Sequence, residues 1–292
     1  MSADPVDIAP ATRRLWLAAE PVHAVAYFAP EPADAARDLG LHGWWMGYFA
    51  GRAAPMGAVG PATVTATFFG FQRAMVERAL PDAWAIATPE AVLASRLEAM
   101  AVALRRTLGP EVDDVAVEVV PLLRTAADAC AADSAARPLG AAWAAVPWPD
   151  DPVVAMWLGL TALREHRGDG HVLACVHAGL GPLEATVTLV GSGAMPRTRI
   201  QPHRGWSDEA WDAAQASLRE RRLLDTNARL TAAGRKLRAS VEAATERLAA
   251  APAEALGDEG VDRLEAALVP LGRRLVDEEV IPVPNPIGVP RP

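Results

Sequence analysis

Apolar residues recur at three- and four-residue spacings along almost the whole chain, and Pro, Gly, Asp, Ser and Thr interrupt them at helix-like intervals. Alternating apolar and polar runs, the mark of half-buried strands, are scarce. That pattern restricts the fold to a mainly α class. The clearest segment is TPEAVLASRLEAMAVALRRTLG. Thr88 is placed to cap, Pro89 takes the first helical position, Glu90 faces the positive end, Arg105 and Arg106 face the negative end, and Gly109 stops the helix. Val92, Leu97, Met100 and Leu104 form the stripe it has to bury. Asp151 and Pro152 open a second helix in the same way, Ser207 caps DEAWDAAQASLRERRLL, and Thr231 starts a long amphipathic helix with Leu237, Val241 and Leu248. The tail IPVPNPIGVPRP holds too much proline for a helix and is expected to be extended.

At 292 residues the chain exceeds the usual single-domain size. We expect two helical lobes, 1–140 and 141–292, divided at the Trp- and Pro-rich connection that runs from Pro138 to Asp151. GPATVTATFFG at 60–70 and GPLEATVTLVG at 181–191 share a Gly-Pro start and a Thr-Val-Thr core, which suggests a degenerate repeat. Pockets favour the interface between such lobes. No apolar run reaches the roughly 18 residues of a bilayer span, and MSADPVDIAP has no signal-peptide character. Cys130 and Cys175 read as buried thiols, so no membrane and a cytoplasmic location are expected.

The octet REHRGDGH at 164–171 gathers most of the polar chemistry of its region. Gly168 sits where a C-terminal helix glycine belongs, Arg164, His166 and Arg167 favour a negative helix end, and Asp169 is placed to cap a following helix. The sequence therefore predicts a corner between two helices. Capping does not require Glu165, His166 or His171, which leaves them as candidates for function. His166, Asp169 and His171 could supply three metal ligands, but zinc sites use more regular spacings and no metal is expected. No P-loop, GxGxxG, GxSxG, HExxH or CxxC motif is present, so no cofactor is expected. Arg52, alone among Gly, Ala, Pro and aromatics, needs either an internal carboxylate or an anionic ligand. His23 and Tyr27 lie four apart on one helix face, and Trp45, Tyr48, Phe49 and Phe68 supply apolar lining.

GWSDEAWDAAQASLRERRLLDTNARLTAAGRKLRASVEAATERLAA resembles the C-terminal part of a winged helix-turn-helix of MarR type, through the Ser207-capped helix, RRLLD, and Leu230, Thr231 and Gly234. EPVHAVAYFAPE, GYFAGRAAPMG, LREHRGDGH, QPHRGWSDEAW and PNPIG are similar to the SalK-like helix-turn-helix family of actinobacteria, over nearly the full chain. The resemblance implies a winged-helix-like second lobe with a short β-hairpin, and a setting in secondary metabolism. Asp208, Glu209 and Asp212 in the first turns of the would-be recognition helix, and a net charge of −8, count against DNA as a partner.

These readings together favour an apolar or anionic small molecule bound between the lobes. The expected function is cofactor-independent acid–base catalysis on a biosynthetic intermediate. His166, His171, Asp169 and Arg52 would be catalytic, with His23, Tyr27, Trp45, Tyr48, Phe49, Phe68, Glu165 and Arg164 lining the pocket. A ligand-responsive DNA-binding regulator of MarR type and a non-catalytic ligand carrier stay open as alternatives, and self-association as a homodimer is compatible with each.

Overall fold

A computed structural model describes residues 10–289 and 291–292. Fifteen α-helices follow one another among them: α1 (Ala11–Phe28), α2 (Glu31–Asp38), α3 (Gly43–Ala53), α4 (Pro61–Phe68), α5 (Arg73–Glu77), α6 (Asp82–Ile86), α7 (Pro89–Leu108), α8 (Glu111–Ala132), α9 (Pro138–Ala144), α10 (Pro152–His177), α11 (Pro182–Gly191), α12 (Arg197–Ile200), α13 (Asp208–Glu220), α14 (Ala232–Leu248) and α15 (Ala250–Asp277). The mainly α class is thus what the apolar spacing dictates. No described helix alone is long and apolar enough to cross a membrane.

Two apolar cores form. The larger runs from Leu15 through Phe49, Leu104 and Leu123 to Trp157, and takes in Val261, Leu264 and Leu268 of α15. The smaller gathers Cys175, Leu183, Val187, Trp211, Leu218, Leu224, Leu230 and Val241 from α10, α11, α13, α14 and the turn between the last two. α10 belongs to both, and its 26 residues form the axis on which the cores meet. The C-terminal tail is non-helical as expected and is tied down by Asn285. Its Nδ2 donates to the carbonyls of Pro282 and Val289, and its Oδ1 accepts from the Val289 amide at 3.0 Å.

Three expectations fail on the local structure. The β-hairpin is replaced by a single antiparallel bridge between Leu224 and Leu230, and no strand occurs among the described residues. The Leu230 amide donates to the Gly191 carbonyl at 2.9 Å, so it is spent on α11 and the ladder cannot extend. The connection from Pro138 to Asp151 contains α9, because Asp169 supplies the cap this short segment lacks. The third failure is the corner at REHRGDGH: α10 passes through it without a break.

Candidate functional site

Two glycines where α9 meets α10 are points of close approach. A Cβ on Gly170 would lie 2.8 Å from Arg137 Nη1 and 3.2 Å from Leu248 Cβ. One on Gly140 of α9 would meet the His166 Cα at 2.9 Å, so α9 lies nearly on the backbone of α10. Asp169 caps not its own helix but α9, its Oδ2 accepting from the amides of Leu139 and Gly140 at 2.9 and 2.8 Å. Burial pushes the Asp169 carboxyl up to about 6, against the pull of those two amides.

Arg52 meets the octet. Its Nε and Nη2 donate to Glu165 Oε1 and Oε2 at 3.0 and 2.7 Å, a bidentate pair with both side chains buried. Nη1 donates to the Tyr48 hydroxyl at 3.0 Å, and the guanidinium lies 4.2 Å from the centre of the Phe68 ring. Arg164 donates to the same carboxylate at 2.9 Å. Burial alone would raise the Glu165 carboxyl, but the charges of Arg164 and Arg52 outweigh it and hold the group below its ordinary range.

This pair forms the floor of a cleft of about 810 Å³ between the two cores. Of the residues expected at a pocket, Tyr48, Arg52, Phe68, Arg164, Glu165, Asp169 and His171 line it. His166, His23, Tyr27, Trp45 and Phe49 do not. His166 turns away, its Nε2 3.1 Å from Asp133 Oδ2, while His171 Nδ1 sits 3.0 Å from the Thr245 hydroxyl. The three side chains that could have shared a metal therefore face different neighbours. Burial lowers both histidines, helped at His166 by Arg137 and opposed at His171 by Glu242.

The far wall comes from residues the sequence reading passed over. Glu242 and Glu246 of α14 face Arg167, with Arg167 Nη2 3.0 Å from Glu246 Oε1. Arg204 lies 4.6 Å from the centre of the Phe71 ring and donates to the Pro286 carbonyl. Among the described residues it has no carboxylate partner, and burial lowers its pKa. The polar stripe of α14 was legible in principle, since Arg238, Glu242 and Glu246 recur at i+4 spacing along the edge of the stripe that Val241 belongs to.

Beyond the cleft, α11, the α12 segment and α13 pack as successive helices joined by turns, with Trp211 buried among them. The turn after α13 is built around Gly234 and Thr231. Thr231 Oγ1 accepts from the Gly234 amide at 3.1 Å and donates to the Arg222 carbonyl at 2.6 Å. A Cβ on Gly234 would stand 2.1 Å from the Leu223 carbonyl oxygen, which is why glycine occupies this place. Residues 219–238, which span this turn, hold seven cations against two carboxylates, in a chain whose net charge is −8. Arg222, Arg229, Arg235 and Lys236 are exposed, and none has a carboxylate within ion-pair distance among the described residues. Arg197 offsets one of the three charges counted against DNA: it donates to Asp208 at 2.6 Å and to Asp212 at 3.2 Å.

A family model described as a helix-turn-helix family matches residues 12–282. No curated protein and no solved structure matches the chain. The match corrects two expectations. A helix-turn-helix family points to a DNA-binding regulator rather than a catalytic biosynthetic protein, against the expectation drawn from the net charge and from Asp208, Glu209 and Asp212. The chain belongs to this helix-turn-helix family.

Proposed function

We propose that the protein is a ligand-responsive, DNA-binding transcription regulator, with residues 182–248 as its nucleic-acid-facing unit. The observation that carries the reading is the segregation of charge: seven cations crowd residues 219–238 of an acidic chain, at the turn that follows α13. Such a patch attracts the phosphate backbone whatever the sum over the molecule. The order α11, α13, turn and long α14 supports the MarR-type resemblance, with the turn between Leu224 and Leu230 standing in for a wing.

The exposed face of α13 carries Glu209, Asp212, Ala213, Ala216 and Glu220, and the Gln215 amide oxygen accepts from Arg219. Carboxylates in the major groove accept only from the amino groups of cytosine and adenine. Phosphate contacts by the basic turn therefore dominate affinity, and discrimination between sequences is low for a regulator. The cleft supports the ligand-responsive part of the reading. α14 runs from the basic turn along the cleft wall, so a molecule that displaces Glu242 or Glu246 acts on the helix that carries Arg235 and Lys236. Arg204, unpaired beside Phe71, favours an anionic effector with an apolar body.

Fluorescence anisotropy on a labelled duplex taken from upstream of the gene tests this. Binding that weakens steeply with salt is expected. No binding at low salt overturns the reading.

A further inference from the structure

A second cavity, of about 110 Å³, opens between α1, α2, α3 and α7. It shares only Tyr48 with the cleft and is lined by Ala26, Ala29, Leu41, Trp44, Tyr48 and Arg96, among others. Arg96 is 8% exposed, and among the described residues it has neither a hydrogen bond nor a carboxylate within ion-pair distance. The other buried arginines are compensated: Arg52 by Glu165 and Arg137 by Asp133. Arg96 has only the rings of Trp157 and Tyr27, 5.4 and 5.8 Å from its guanidinium carbon, near the outer limit of a cation–π contact.

A guanidinium cannot shed its proton to escape burial, so an interior one needs a counter-charge. The fold keeps space for this one. A Cβ on Gly51 would lie 2.8 Å from Arg96 Nη1, so any larger residue at that place in α3 would displace the head group. At the mouth, Trp44 is 44% exposed and stacks on Tyr48, with ring centres 5.0 Å apart and planes at 17°. An exposed tryptophan laid over a tyrosine, above a buried unpaired cation, is a surface for a flat anionic molecule.

We propose that this cavity binds a small organic carboxylate. The carboxylate pairs with Arg96, and the apolar body rests against Trp44, Tyr48 and Leu41. A closed cavity of about 150 Å³ holds benzene. The space here, open on one side, thus limits the ligand to one small ring or a short chain. The site stands apart from the DNA reading and from the cleft, and neither is needed for it.

Isothermal titration calorimetry and thermal melts on the full chain test it, with benzoate as probe and benzamide as its neutral counterpart. Benzoate binds saturably and raises the melting temperature, and benzamide does neither. Arg96→Met weakens benzoate by about ten- to a hundredfold, the loss of a charge-assisted pair. Trp44→Ala, at a position 44% exposed, also weakens it. Arg204→Gln leaves the Arg96-dependent part of the binding unchanged, which separates this site from the cleft. The proposal is overturned if benzamide binds as well as benzoate or if benzoate does not bind the natural chain. Unchanged benzoate affinity in Arg96→Met or in Trp44→Ala, or benzoate binding lost in Arg204→Gln, overturns it too.

Discussion

The basic turn after α13 makes a quantitative claim about salt. Each phosphate neutralised releases condensed counterions, and log K falls with log salt by about 0.9 per contact on duplex DNA. Arg222, Arg229, Arg235 and Lys236 are exposed without carboxylate partners, whereas Arg221 is held 3.1 Å from Glu184. Four phosphate contacts per bound protomer give a slope of about −3.6. A fourfold rise in salt then weakens binding by roughly a hundred- to two-hundredfold. Lys236→Gln and Arg229→Gln should each move the slope by about 0.9 toward zero. At Arg222 the better variant is Arg222→Asn, because the residue holds a φ of +57° that asparagine tolerates. Arg221→Gln should change the slope less, since its guanidinium is already compensated. Anisotropy titrations of a labelled duplex at several sodium chloride concentrations read all of this directly. The reasoning fails if the slope of the natural chain is near zero. It fails equally if the three variants leave the slope where it was, for then the charged turn does not face the phosphates.

Three further outcomes follow from the interior. Glu165→Gln leaves the buried guanidinia of Arg52 and Arg164 short of a counter-charge and should cost about 3–5 kcal/mol in urea denaturation. The double change Arg52→Met with Glu165→Leu should recover most of that loss, and no recovery would argue that the pair stabilises beyond its own neutralisation. Gly234→Ala drives a Cβ into the Leu223 carbonyl and should cost about 3 kcal/mol or more, with DNA binding lost as the turn opens; an unchanged melting temperature would contradict the geometry. Asp169, at about 6 when folded and about 3.9 when unfolded, binds its proton more tightly in the native state. Its contribution is full below about pH 4 and is lost as pH rises to about 6, by at most about 3 kcal/mol. His23, His166 and His171 are lowered and act with the opposite sign, losing stability as pH falls below about 6.5. The Asp169 effect is therefore read as the difference between the natural chain and Asp169→Asn across pH 4 to 6, and parallel melting curves would refute it.

What could be read from the sequence was local. Thr88, Asp151, Ser207 and Thr231 all cap as their positions predict, each side chain accepting from an amide two or three residues on. These four fix where α7, α10, α13 and α14 begin. REHRGDGH misled because the same residues serve two purposes. Gly168 reads as a stop when only neighbours in sequence are considered, yet α10 runs on through it, and Gly170 two residues later makes room for Arg137 and Leu248, which no local pattern brings to it. Asp169 reads as the cap of its own helix, when the amides it serves lie 29 and 30 residues earlier. The pairing of Arg52 with Glu165, across 113 residues, was legible only as a need: a lone arginine among apolar residues must be compensated by something.

Acids summed along one helix or over the whole chain point away from DNA, but an electrostatic footprint is a property of a surface. Arg197, 11 and 15 residues earlier on a separate helical segment, offsets one of the two charges of Asp208 and Asp212. The cations of RERRLLDTNARLTAAGRKLR are spread over the end of α13, the turn and the start of α14, so no single helix looks basic. The Thr231 cap on the Gly234 amide fixes how the turn leads from α13 into α14. α14 was read for its inward stripe of Leu237, Val241 and Leu248 alone. It also carries Arg235 and Lys236 toward solvent at one end and Glu242 and Glu246 toward the cleft at the other, with about two and a half helical turns between them. A rigid helix of that length transmits a shift at one end to the other. On the proposed function, a molecule in the cleft and a phosphate at the turn would compete for the position of the same element.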